Sequence, residues 1–473
     1  MSESKDLSRR TVLGRAAALG ALAVPGAALL DACATGGGGG GGSEKGTVTK
    51  DNPLGIKEDA ALEVVIFKGG YGDKYALDAE AAFKKKHPKA TVKHNSTQQI
   101  TQQLAPRFVG SNPPDLIDNS GAQALDMNAL IGKGQVADLT PLLDAPSLDD
   151  PSKKIRDTLR PGIVEAGQYG GKEVYALNYV QAVFGIWYSS TQLTKYGIQP
   201  PQTWQAMLDA CATLKKNNVA GWTYAGKYPG YVHYWLFAQI AKVGGKEVLI
   251  AIDNLEPNAW KHPAVKAALE PIEEVVAKGY VLQGSEGLTH IESQTAWNQG
   301  KAAFIPNGSW VENEAKGTTP ANFGMAVQGP PSVSAADKMP FGTIWSAPTE
   351  PFIVPKQAMN SLGGMEMLRV FLAKPQAQNF ARQVSSLTCV LEGAEGVPLP
   401  PGVTSANAAL KAAGANNTVN PLILTWYAKL VQDIGQNCGL LMSKRISAAD
   451  WITKTQALAD AVASNSSIKK FKH

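Results

Sequence analysis

The 473-residue chain is poor in cysteine, modest in charge and without paired histidines. Four cysteines in that length exclude a disulfide scaffold of the kind that staples small secreted domains. No C-x-x-C occurs, so neither a zinc ribbon nor a thioredoxin-like redox site is indicated. The histidines (His87, His94, His233, His262, His290 and His473) are scattered, with no pair at metal-ligand spacing, so neither a metal nor a cofactor is expected. Charged residues make up 18% and the net charge is +5, which argues against a nucleic-acid binder and its concentrated basic face. G-x-S-x-G, H-E-x-x-H, a P-loop and a D-x-x-D-x-D-x-E pattern are all missing, so the chain is not expected to be an enzyme. Glu273-Glu274, on an amphipathic helical pattern, reads as a solvated face, and the acid pairs Asp149-Asp150 and Glu312/Glu314 look no more catalytic. Tryptophan is absent ahead of Trp187, and all ten lie at or beyond it.

What is present is apolar bulk and alternation. Hydrophobic residues make up 44%, enough for a sizeable core, and the length suits two or three domains. Residues 1–32 read as an export address. Ser8-Arg9-Arg10-Thr11-Val12-Leu13 resembles a twin-arginine signal, and the apolar run Ala16 to Leu30 is shorter than the about 20 residues that span a bilayer. Leu30-Asp31-Ala32-Cys33 resembles a lipobox, with Asp31 in place of the usual small neutral residue, and Cys33 is the expected lipidation site. A diacyl group supplies the two chains that stable anchoring needs. Gly36 to Gly42 is an unbroken glycine run, and residues 33–59 read as a flexible tether reaching roughly 25–30 Å.

Beyond the tether the pattern is βαβαβ. Leu62 to Phe67 is a buried-strand run. Tyr75, Ala79, Ala82 and Phe83 recur at helical spacing, and Lys84-Lys85-Lys86 suits a helix C-terminus. A second strand is expected near Ala90 to Lys93, a helix from Gln98 to Val109 with Pro106 within it, and a strand at Asp115 to Ile117. Further helices are expected around 203–216, 232–243, 263–278, 363–373, 375–384 and 421–435. The fold class is α/β, beginning as a doubly wound sheet.

Several segments then resemble, in order, the sugar-binding lipoproteins of ABC importers, the family 1 extracellular solute-binding proteins. They are Pro114-Asp115-Leu116-Ile117, Gly134-Gln135-Val136-Ala137-Asp138-Leu139-Thr140-Pro141-Leu142, Pro201-Gln202-Thr203-Trp204, and Trp297 to Phe304 followed by Asn307-Gly308-Ser309-Trp310. Gln181 to Tyr188 and Met367 to Gly393 are similar to members that bind N-acetylglucosamine and N,N′-diacetylchitobiose. The resemblance implies a two-lobe periplasmic-binding-protein-like fold, each lobe a doubly wound sheet flanked by helices, with a hinge between. Lobe 1 would comprise 60–179 and 346–397, and lobe 2 would comprise 180–345 and 398–473. Crossovers are expected near Asn178–Ala182, Gly342–Ala347 and Gly393–Val403. The implied ligand is an amino-sugar mono- or disaccharide, and the implied partners are permease subunits and the outer face of the cytoplasmic membrane. A monomer is expected, with no nucleic acid bound. A neutral malto- or xylo-oligosaccharide on the same fold and a secreted glycosidase are the alternatives.

A pyranose offers C–H faces and hydroxyl edges, so its binder needs flat rings and planar polar groups. Trp310, after the family's G-x-W turn, is the first candidate for stacking, and Trp345 by the second crossover is the next. Tyr234 and Trp235 open a helix, where only one of two neighbours can face a cleft. Trp187 and Trp204 read as framework, and Cys211 as core. Polar candidates follow the first-lobe strands, where open α/β sheets bind ligands: Tyr71 and Asp73, then Asp118, Asn119 and Ser120. Asn178 and Gln181 flank the first crossover. Asp118-Asn119 equally suits a plain turn.

Overall fold

The computed structural model describes residues 45–121, 123–160 and 162–473. The twin-arginine segment, Cys33 and the glycine run lie outside the described residues. The first strand, β1 (Ala61–Phe67), buries Val64, Val65 and Ile66. It pairs in parallel with β2 (Thr91–Thr97) on one side and β3 (Leu116–Asp118) on the other. Helices Lys74–Lys86 and Ile100–Val109 make the crossovers, which is the expected βαβαβ unit. Helix Lys74–Lys86 buries Tyr75, Ala76, Ala79 and Phe83 and ends in three lysines. Lys86 is tied to the buried Glu366 at 3.0 Å, so this basic end is structural. β2 runs to Thr97, beyond the expected Lys93. It is an edge strand and only half-buried, so its polar Lys93-His94-Asn95-Ser96-Thr97 stretch carries little hydrophobic signal while its backbone still pairs with β1.

Two long strands organise the rest. β4 (Leu177–Ser189) is buried over nearly its whole length. Its antiparallel partner β8 (Ile344–Ile353) matches it from Leu177↔Phe352 to Phe184↔Trp345. β8 also pairs antiparallel with β3, through Ile117↔Ile353 and Asp118↔Phe352. On its other edge β4 pairs with β6 (Ala302–Gly308), β6 runs parallel to β5 (Ala220–Trp222), and β7 (Met325–Gln328) pairs antiparallel with the end of β4 from Ile186↔Gln328 to Ser189↔Met325. The sheet order is therefore β2-β1-β3-β8-β4-β6-β5. The second-lobe part is mixed, because the traversing strand β4 runs against β6. The molecule has the two-lobe α/β architecture, with β4 and β8 at its middle. The late helices are close to their expected bounds, except that the 421–435 segment divides into Ile423–Trp426 and Ala428–Met442.

The tryptophans that carry no sequence motif are mostly core. Trp222 stacks on Trp235 at 4.2 Å and 9°, and Trp260 meets Trp451 edge-on at 5.6 Å. Trp187 is fully buried and donates its indole N–H to the Asn307 carbonyl at 3.0 Å. Cys211, Cys389 and Cys438 are free and buried, and burial pushes each thiol up to about 12. They behave as small apolar side chains. Among the described residues no helix is long and apolar enough to cross a membrane.

Candidate functional site

An aromatic box forms where β4, β6 and β8 meet. Phe184 of β4 is the strand partner of Trp345 on one side and Gly308 on the other. Its ring stacks with Trp345 at 4.3 Å and with Tyr234 at 4.8 Å, and those two rings meet each other at 5.4 Å. Beyond Gly308 the chain turns and Trp310 folds back. A Cβ on Gly308 would lie 2.4 Å from the Trp310 ring carbons, so only glycine permits this pose. The partly buried indole meets Phe184 at 5.5 Å, Tyr234 at 5.6 Å and Tyr231 at 6.3 Å, each in a T-shaped contact. Trp345 is almost fully buried, and its indole N–H has no partner among the described residues.

The polar side comes from the ends of β1 and β3. Asp118 is fully buried. It accepts hydrogen bonds from the Ser120 hydroxyl, from the Tyr75 hydroxyl at 3.3 Å and from the Phe67 backbone. Glu350 of β8 lies beside it and hydrogen-bonds to it. Burial pushes the Asp118 carboxyl up to about 7. Burial, and then the Asp118 charge, push Glu350 well above the carboxylate range. Two adjacent desolvated carboxyls cannot both ionise, so the pair retains a proton at neutral pH. Glu350 also has φ 57° immediately before Pro351, a left-handed pose for a side-chain-bearing residue. Such poses cost about 1–3 kcal/mol and cluster at functional sites.

Tyr71 links the two sides. It is 8% exposed, packs on Phe380 at 5.4 Å, and its buried hydroxyl faces the hydroxyl of Ser386. Burial raises the Tyr71 phenol, with smaller upward contributions from Glu350, Glu314 and Tyr234. Glu314 is largely buried, which raises its carboxyl, and it accepts a 2.7 Å bond from Gln294 Nε2. Asn313 donates to the Gly70 carbonyl next to Tyr71. The arrangement offers ring faces, carboxyls and hydroxyls, which together can hold a polyhydroxy ring. Among the described residues no group of three or more His, Cys, Asp or Glu could hold a metal.

Of the expected site residues, the structure gathers Trp310, Trp345, Tyr234, Tyr71, Asp118 and Ser120 around this region. Others are engaged elsewhere. Trp235 is core, stacked on Trp222 and donating to Gln239 Oε1 at 3.3 Å. Asn119 spends both ends of its amide on the Leu125 backbone, at 2.7 and 3.0 Å, and so fixes a turn. Asp73 is ion-paired with Lys68 at 3.0 Å and His94 at 3.6 Å. Gln181 donates to Ser346 Oγ at 2.7 Å and ties β4 to β8, and Asn178 faces Pro351 across the same pair of strands. Phe184, Tyr231 and Glu350 are additions. Tyr231 was within reach, since it precedes Tyr234 by three residues, one helical turn.

The chain matches the family of bacterial extracellular solute-binding proteins over residues 67–378. It is 36% identical over 394 residues, 81% of each chain, to the diacetylchitobiose binding protein NgcE of Streptomyces coelicolor. Its fold is similar to that of a chitin oligosaccharide binding protein, with TM-score 0.68 and 15% identity over 86% of this chain and 99% of that one. It is similar also to apo RafE of Streptococcus pneumoniae, with TM-score 0.65 and 17% identity over 86% and 99%. The match spans well over half of the sequence and includes the Gly308–Trp310 turn, β3 and β8, and the chain therefore belongs to the bacterial extracellular solute-binding proteins.

Proposed function

We propose that this chain captures N-acetylglucosamine or N,N′-diacetylchitobiose outside the cytoplasmic membrane and hands it to an ABC permease without altering it. The observation that carries this reading is the pairing of the Trp310–Tyr234–Phe184 box with the buried Asp118–Glu350–Tyr71 group. Rings suit the apolar faces of a pyranose, and desolvated carboxyls and hydroxyls suit its edges. Similarity to a diacetylchitobiose binding protein supports the choice of amino sugar. Lobe 1 comprises 60–179 and 346–397, and lobe 2 comprises 180–345 and 398–473. A continuous apolar core joining Leu62, Phe83, Tyr179, Phe352 and Phe380 supports the first. The exported chain is anchored through Cys33 and acts as a monomer.

Calorimetry against N-acetylglucosamine, diacetylchitobiose, maltotriose and xylotriose tests this reading. The amino sugars should bind and raise the melting temperature by mass action. The lobes should close, so the particle should shrink in solution scattering. No hydrolysis product should form. Binding of maltotriose or xylotriose in preference to both amino sugars would refute the ligand, and product release would refute the binding role.

A further inference from the structure

The aromatic surface continues past the box. Tyr231 stacks on His290 at 6.1 Å and 24°, and His290 meets the ring of Tyr228 edge-on at 5.4 Å. Exposure rises outward along this line: Tyr231 and His290 are half-buried, whereas Tyr228 and Ile291 are each 45% exposed. Single exposed apolar residues are ordinary. These two flank a half-buried histidine that is itself stacked on the wall of the box.

The outer ledge is held in place. Tyr228 N–H donates to the Ala225 carbonyl at 2.9 Å, and Tyr231 N–H donates to the Tyr228 carbonyl at 3.1 Å. Lys227 N–H reaches the Leu288 carbonyl at 3.0 Å. A Cβ on Gly226 would lie 2.3 Å from the Glu286 backbone, so the loop is pressed against its neighbour. A pre-positioned ring loses little freedom on binding. Polar groups stand beside it. Gln294, one turn along the helix His290–Asn298, is 1% exposed, and its carbonyl oxygen has no partner among the described residues. Glu314 Oε1 lies 3.8 Å from His290 Nε2.

We propose that Tyr228, His290 and Ile291 form an outer sugar subsite, continuous with the aromatic box, that takes the third residue of an acetylated chitooligosaccharide. The proposal rests on the amino-sugar reading above. The Tyr228 face packs on the third ring while the outer edge of that ring stays in water. Chain length is then recognised separately from sugar identity.

Calorimetry with N,N′-diacetylchitobiose and N,N′,N″-triacetylchitotriose tests it. The wild type should bind the trimer about tenfold tighter than the dimer, the scale of one aromatic contact. Tyr228→Ala should bring the trimer down to the affinity of the dimer and leave the dimer within about twofold of wild type. Ile291→Ser should act in the same direction and less strongly. Equal affinities for dimer and trimer in the wild type, or equal losses for both in Tyr228→Ala, would overturn the subsite while leaving the amino-sugar reading intact. A wild type that binds neither would overturn both.

Discussion

Trp310 and Trp235 offer a paired test, because the structure gives them opposite surroundings. Trp310 is partly buried, held in a turn that only Gly308 permits, and meets the neighbouring rings in T-shaped contacts. Truncating a central aromatic in a binding site typically costs 2 kcal/mol or more, about thirtyfold in affinity. Trp310→Ala should therefore weaken diacetylchitobiose binding by about that factor. Its melt without sugar should shift less than that of a fully buried tryptophan, since its side chain is only partly buried. Trp235 is 1% exposed and stacked at 4.2 Å on Trp222. Emptying such a core position costs about 3–5 kcal/mol. Trp235→Ala should therefore lose stability by that order and keep near-normal affinity where it remains folded. Urea unfolding and calorimetry on both variants give the two-by-two comparison. Near-normal affinity together with a poor melt in Trp310→Ala would place its ring in the scaffold and refute the reasoning.

The Asp118–Glu350 pair makes stability depend on pH. Both folded values are raised above the ordinary carboxylate range of about 4. The folded chain thus holds protons that the unfolded chain releases, and stability falls as pH rises from about 4 to about 7. Each retained proton contributes a slope of about 1.4 kcal/mol per pH unit. Glu350→Gln removes one of the two protons, so urea unfolding between pH 4.5 and 7 should show a shallower fall than wild type; parallel curves would refute the shared-proton account. Arg9→Lys with Arg10→Lys should hold precursor in the cytoplasm on fractionation, and export at wild-type yield would count against the twin-arginine reading. Cys33→Ala should release the protein from the membrane fraction, and a processed variant that stays bound would sink the anchor.

Legibility followed the locality of each signal. The first lobe opens with β1, the helix Lys74–Lys86 and β3, each carrying its own periodicity, so all three were readable. The polar second half of β2 was not, because an edge strand is stabilised by backbone pairing that leaves no apolar pattern. The choice between Tyr234 and Trp235 was beyond the sequence. Their helix is apolar on almost every face, burying Trp235, Leu236, Phe237, Ala238, Ile240 and Ala241. No polar stripe marks its outer side, so the direction of a given ring depends on how the helix packs.

Glu350 was hidden for a different reason, one that bears on how the site works. Asp118 was a candidate because it ends a first-lobe strand, where such sheets bind ligands. Its partner arrives from the antiparallel neighbour β8, in which Phe352 is opposite Asp118 and Glu350 is two residues further along. Residues two apart in a regular strand share a face. Here the chain also kinks at φ 57° between Pro348 and Pro351, and the carboxyl reaches Asp118. The strained residue therefore sits on a strand that pairs with first-lobe β3 at one end and carries Trp345 of the aromatic box at the other. A sugar hydroxyl that engaged the Asp118–Glu350 pair would touch the same strand that carries Trp345, whose ring stacks on Phe184 of the neighbouring β4.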